Sequence, residues 1–190
     1  MENGPLNEFF ISVDVETAGP VPSQYSMLAI GACTVARPQK TFYIELKPVN
    51  MQYTSEALKS CNLSMEKLAE DGIEPAEAIQ QFGNWVVKVT PTEKKPIFVG
   101  FNAPFDWMFV NDYFLRYLNK NPFGHSALDI KSYYMGLTKK SWRETSMRHV
   151  GKRYLDQQAL THHALQDAID QANIFYKMLA ESSDHTTRME

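Results

Sequence analysis

At 190 residues, with 44% hydrophobic and 22% charged residues, the chain has the size and balance of one ordinary globular domain. No apolar run reaches the ~18 residues a membrane span needs, and MENGPLNEFF lacks the basic start and apolar stretch of a secretory signal; a soluble cytoplasmic protein without membrane contact is expected. The net charge of −3 argues against a globally basic nucleic-acid binder, and Cys33 and Cys61 supply neither a disulfide framework nor a zinc pattern.

The first segments read as strands. Residues 8–14 (EFFISVD), 27–35 (MLAIGACTV) and 40–46 (KTFYIEL) are rich in β-branched and aromatic residues, and the last two are joined by the short turn Ala36-Arg37-Pro38-Gln39 of a hairpin. A helix is predicted over 54–60, and a longer one from Pro75 to about Val89, with Pro75 in the first turn and Ala78, Ile79, Phe82, Trp85, Val86 and Val89 at helical spacing. PIFVGF (96–101) reads as a short buried strand, and Pro104 opens a helix with Phe105, Phe109, Tyr113 and Tyr117 along one stripe. A last strand at 125–128 and two further helical segments follow. The final helix, about 163–181, is expected to carry Leu165, Ile169, Ala172, Phe175 and Leu179 on its buried side, ahead of a polar, flexible tail from about 182 to 190. Three antiparallel strands followed by β-α-β, with helices flanking a mixed sheet, make a single α/β domain whose core spans about 8–180.

Polar residues at the ends of these elements carry the functional signal. Asp14 and Glu16, in SVDVET, point the same way if the first strand continues through both. Like charges that close repel, and burying either unpaired is costly, so the pair either faces solvent or holds something positive between its members. Asp106 falls in the first turn of the helix after the central strand, where an acid also suits the helix dipole. His162 or His163, then Asp167, open the last helix; His162 and Asp167, five apart, converge only if His162 lies on the preceding loop. Charge is uneven as well. Between Lys139 and Arg153 there are six basic residues and one acid, net +5, against −8 elsewhere; the bland reading of that window is a solvated helix face.

Together, DVET after a first strand, N-x-x-F-D after a central strand and H-x-A-x-x-D-A opening the last helix resemble the three motifs of the DEDDh 3′→5′ exonucleases, which have a ribonuclease H-like fold. The family includes the proofreading subunit of bacterial DNA polymerase III, ribonuclease T and oligoribonuclease. The resemblance covers about residues 8–180, and Ile30-Gly31-Ala32 and Leu128-Asp129-Ile130 share in it. It implies a five-stranded mixed sheet and two Mg²⁺ or Mn²⁺ ions, with Asp14 on both ions, Glu16 and Asp167 completing one site, Asp106 acting mainly through water and His162 as general base. One departure is Ala29, which stands where the family usually has an acid before IGA.

Two divalent ions would stabilise the attacking and leaving oxygens of phosphodiester hydrolysis, and four acids without cysteine suit hard cations better than zinc. Substrate contacts are expected from the backbone of Thr17 and Ala18, from Met27 and Leu28 against the terminal base, and from Phe105 or Trp107 as stacking partners. Lys139, Lys140 and Arg143 would track the phosphate backbone. The sequence thus reads as an exonuclease on single-stranded 3′ ends that releases nucleoside 5′-monophosphates. RNA is favoured because the chain shows no fused polymerase. A proofreading or repair DNA exonuclease is the second reading, and an inactive nucleic-acid-binding module is the alternative of another class. Several stand-alone members of similar size are dimers, so a homodimer is compatible with the resemblance.

Overall fold

The computed structural model describes residues 7–155 and 163–187, with side chains as far as 183 in the second segment. Its elements run β1 (Glu8–Thr17), β2 (Met27–Thr34), β3 (Thr41–Glu45), α1 (Ser55–Cys61), α2 (Met65–Asp71), α3 (Pro75–Val89), β4 (Lys95–Gly100), α4 (Pro104–Leu118), β5 (Ala127–Asp129), α5 (Ile130–Thr138), a 3₁₀ turn (Trp142–Thr145), α6 (Met147–Tyr154) and α7 (Ala164–Thr187). The strands form one sheet in the order β3-β2-β1-β4-β5. β1, β2 and β3 pair antiparallel, whereas β4 joins β1, and β5 joins β4, in parallel.

Every residue of β2 is buried, as befits a strand covered on both faces. One face, with Ile11, Val13, Val15, Ile30 and Ile44, packs against Ile79, Phe82 and Val86 of α3 and Phe109, Tyr113 and Phe114 of α4. The other core joins Cys33 and Val99 of the sheet to Ala168, Ala172, Phe175 and Met178 of α7, with Tyr134 of α5 and Val150 and Tyr154 of α6. No helix among the described residues is long and apolar enough to cross a membrane.

Two elements depart from the sequence expectation. Helix α2 is short enough for its periodicity to be faint, yet Ser64 caps it, its hydroxyl accepting from the Lys67 amide at 3.1 Å. Helix α7 runs on to Thr187, beyond the expected end near 181. Its buried stripe is also rotated: Asp167, Ala168, Gln171, Ile174, Phe175 and Met178 are buried, while Leu165, Ile169 and Leu179 are only partly so. A hydrophobicity pattern cannot find that face, because two of its members are the polar residues Asp167 and Gln171.

Candidate active site

Strand β1 continues through both Asp14 and Glu16, so the two side chains share a face. In the antiparallel register Asp14 stands opposite Gly31, which stands opposite Tyr43; Glu16 stands opposite Ala29, which stands opposite Glu45. Helix α7 starts over this face. A Cβ on Gly31 would run into the backbone of Ala164 and Leu165, so only glycine lets the beginning of α7 come down onto β2. That approach delivers Asp167, in the first turn of α7, to the β1 acids: Asp14, Glu16 and Asp167 each place a carboxylate oxygen within 4.8 Å of the others.

Asp106 arrives from the neighbouring edge. Pairing of β1 with β4 stops at Ser12–Val99, and beyond it the Val15 amide donates to Oδ1 of Asp106 at 3.0 Å. Asp106 is thus no cap for its own helix; it is buried against the strand that bears Asp14 and Glu16. The turn leading to it is fixed by Asp129, whose Oδ1 accepts from the amides of Asn102 (3.0 Å) and Ala103 (3.2 Å), while Oδ2 accepts from the Ser132 amide at the start of α5.

This concentration of charge is electrostatically costly. Burial, then the charges of Asp106, Glu16 and Asp167, hold the Asp14 carboxyl well above its ordinary range. Burial, then Asp167 and Asp106, push Glu16 up to about 8, and burial pushes Asp106 up to about 7. The cluster can therefore gather protons or cations.

His162 lies outside the described residues. Its neighbour His163 is exposed, stacks on Tyr43 with ring centroids 4.8 Å apart, and accepts the Asp167 amide on its carbonyl at 3.0 Å. Of the expected substrate contacts, Thr17 and Phe105 line an open cleft of about 350 Å³ beside Glu16, together with Gly19, Pro20, Thr54, Ala57 and Ser60. Ala18 is wholly buried and its backbone is engaged within the protein, its amide donating to the Ser26 carbonyl and its carbonyl accepting the Thr54 amide, both at 2.8 Å, so the expected amide is not presented to a nucleotide.

Met27 and Leu28 need correcting. Both are wholly buried, Met27 in the main core and Leu28 beside Ala18, Cys61, Met65 and Leu68, so neither offers a surface to a base. Both open β2, a strand covered on both faces along its whole length; Glu16 pairs with Ala29 but Thr17 with Met27, leaving Leu28 as the extra residue of a bulge, and the Tyr113 hydroxyl of α4 accepts the Met27 amide at 2.9 Å. Trp107 packs edge-on against Phe98 at the margin of the core and does not line the cleft. Lys139, Lys140 and Arg143 are exposed after α5, with Lys140 3.4 Å from Glu144.

Sequence reasoning missed Gln171. It is 2% exposed, one turn beyond Asp167, and its Nε2 donates to Asp14 Oδ1 at 2.7 Å while its Oε1 accepts the Phe101 amide at 2.9 Å. The four-residue spacing in QDAIDQ was the available signal.

The fold and the acidic cluster place the chain among ribonuclease H-like exonuclease domains. Over 92% of this chain and 93% of the other, it superposes on the nuclease domain of 3′hExo, a DEDDh family member bound to rAMP, with a TM-score of 0.77 at 17% identity. It also matches Escherichia coli exonuclease I in complex with a dT13 oligonucleotide (TM-score 0.73, 14% identity, 96% of this chain), spanning 43% of that longer protein. At such identities the likeness concerns the fold. The chain belongs to the 3′-5′ exoribonuclease Rv2179c-like domain family, whose pattern it matches over residues 9–179. Over 168 residues it is 47% identical to the 3′-5′ DNA exonuclease Cap18 of Escherichia coli, covering 88% of this chain and 90% of that protein.

Proposed function

We propose that the chain is a divalent-metal-dependent 3′→5′ exonuclease acting on single-stranded 3′ ends and releasing nucleoside 5′-monophosphates. The convergence of Asp14, Glu16 and Asp167 within 4.8 Å, beside a buried Asp106, carries this reading. The donor set fits the ions. Its atoms are all carboxylate oxygens, the preference of Mg²⁺ and Mn²⁺, and burial together with mutual repulsion raises Asp14 and Glu16, a cost that a cation offsets. When bound, two such ions supply a nucleophilic hydroxide near neutral pH and stabilise charge on the leaving oxygen.

The chain's own groups do the rest. Asp14, Glu16 and Asp167 would hold the ions, and Asp106, fixed to the Val15 amide, would order water beside them. His162 takes the proton of the attacking water, a role its ordinary pKa near 6.5 suits. The cleft of Thr17, Gly19, Pro20 and Phe105 receives the terminal nucleoside, with Phe105 offering a stacking face. The exposed cations Lys139, Lys140 and Arg143 follow the strand upstream.

The identity to Cap18, named a DNA exonuclease, favours single-stranded DNA as substrate; the family's description as exoribonucleases supports RNA as the second reading. Matched DNA and RNA strands of several lengths, incubated with Mg²⁺ or Mn²⁺, test both. Mononucleotides released stepwise from the 3′ end are expected, faster from DNA. Binding of either strand without any metal-dependent product would instead make the chain a binding module.

A further inference from the structure

The three chain segments that carry the acids meet at one neutral side chain. Gln171 sits on α7 one turn past Asp167; its amide nitrogen holds Asp14 on β1, and its amide oxygen holds the Phe101 amide, where β4 turns toward Asp106. These partners are 157 and 70 residues away in sequence, and the side chain is 2% exposed. A buried glutamine with both ends engaged is oriented without ambiguity: only the NH₂ can face a carboxylate, and only the oxygen can face a backbone N–H.

From this geometry we infer that Gln171 is a positioning residue of the metal site. It sets the rotation of the Asp14 carboxylate and couples it to the β4–α4 turn. A carboxylate presents about four acceptor positions on its two oxygens, so one bond from Gln171 fixes the plane and leaves most of them for cations. A carboxylate, lysine or apolar side chain could not do this. A carboxylate would repel Asp14, a lysine would neutralise it and compete with the ions, and an apolar side chain would leave the partly buried Phe101 amide without this partner.

The inference rests on the proposed metal centre, and one titration separates the two. Mn²⁺ is titrated into wild-type protein and Gln171→Met, a swap of similar length with no amide, by calorimetry. Groups that orient a metal ligand typically contribute 10–100-fold in affinity. The variant's Mn²⁺ dissociation constant should therefore rise by about 10–100-fold, while its turnover at saturating Mn²⁺ recovers most of the wild-type value. Equal Mn²⁺ affinity in the two proteins would overturn the positioning role; no Mn²⁺ binding by the wild type would overturn the metal centre itself. Should Gln171→Met not fold, the wild-type side-chain amide decides, followed by NMR with ¹⁵N-glutamine. A Gln171 NH₂ protected from exchange and shifted on adding Mg²⁺ is expected. A freely exchanging NH₂ indifferent to Mg²⁺ would overturn the assignment.

Discussion

The acidic cluster at the ends of β1 and α7 and the basic segment from Lys139 to Arg153 carry opposite charge and are held in opposite ways. Each acid is fixed by backbone geometry: Asp14 and Glu16 by strand alternation, Asp106 by the Val15 amide, Asp167 by the glycine that admits α7. The bases are exposed at the ends of short helices. Lys139 closes α5 in a left-handed conformation (φ 56°), Lys140 faces Glu144 at 3.4 Å, and Arg153 pairs with Glu181 at 2.6 Å. Beside them Lys131 lies 4.2 Å over the ring of Trp142, itself half-exposed. The contrast separates two tasks. Holding small cations at fixed positions demands desolvated, rigid ligands, whereas following a flexible phosphate chain needs only reach and charge.

The sharpest way to break the acidic side is Asp14→Ala. The fold should persist, hydrolysis should be lost, and the rise in melting temperature that added Mg²⁺ should give the wild type should disappear. Turnover by a folded Asp14→Ala protein would remove the cluster from the chemistry. Next come the adjacent histidines. His162→Ala should slow turnover by about 10²–10⁴-fold, the usual contribution of a general base, with metal binding retained. His163→Ala should lose less, up to about tenfold, because its stack on Tyr43 is worth about 0.5–1.5 kcal/mol. The reverse order in measured turnover would show the motif is out of register by one residue.

Protonation tests how buried the cluster is. In the metal-free native state Asp106 keeps its proton up to about 7 and Glu16 up to about 8, while unfolded carboxyls ionise near 4. The native state then binds more protons than the unfolded chain between those limits, so metal-free stability is greatest at the acid end of that window and falls as pH rises through it. Melting in EDTA should occur at lower temperature at about pH 8.5 than at about pH 5.5, by about 2–4 °C for each kcal/mol lost. Mg²⁺ at the higher pH should regain the lost stability; an equal or higher metal-free melting temperature there would mean the acids are solvated.

The smallest effect belongs to the basic side. Replacing Lys139 and Lys140 by Gln should weaken binding of long strands and leave dinucleotide cleavage nearly unchanged. The slope of log affinity against log salt should flatten by about 0.7 if Lys139 alone contacts a phosphate, and by about 1.4 if Lys140 also leaves Glu144 to do so. An unchanged slope returns the segment to a solvated face.

The two regions also differ in how far the sequence disclosed them. Asp14 and Glu16 were legible because strand alternation fixes which residues share a face, and Asp106 and Asp167 because each follows a recognisable element boundary. The sheet and most helices were legible for the same reason. Gln171 was not, since a buried polar residue breaks the apolar stripe of α7 and shifts its apparent centre toward Ile169 and Leu179. Met27 and Leu28 turn inward because β2 is covered on both faces, and which elements cover a strand depends on tertiary packing that local composition does not reveal. The meaning of Gly31 emerged only with Ala164 above it.

Whether these carboxylates gather metal ions in order to cut a nucleic-acid 3′ end is decided by stripping the protein with EDTA, adding a 5′-labelled and a 3′-labelled single strand in parallel, and restoring Mg²⁺ stepwise. Nucleoside 5′-monophosphate should appear from the 3′-labelled strand only as Mg²⁺ returns, while the 5′-labelled strand shortens one residue at a time. Release that is indifferent to EDTA, or mononucleotides arising first from the 5′ end, would contradict the account.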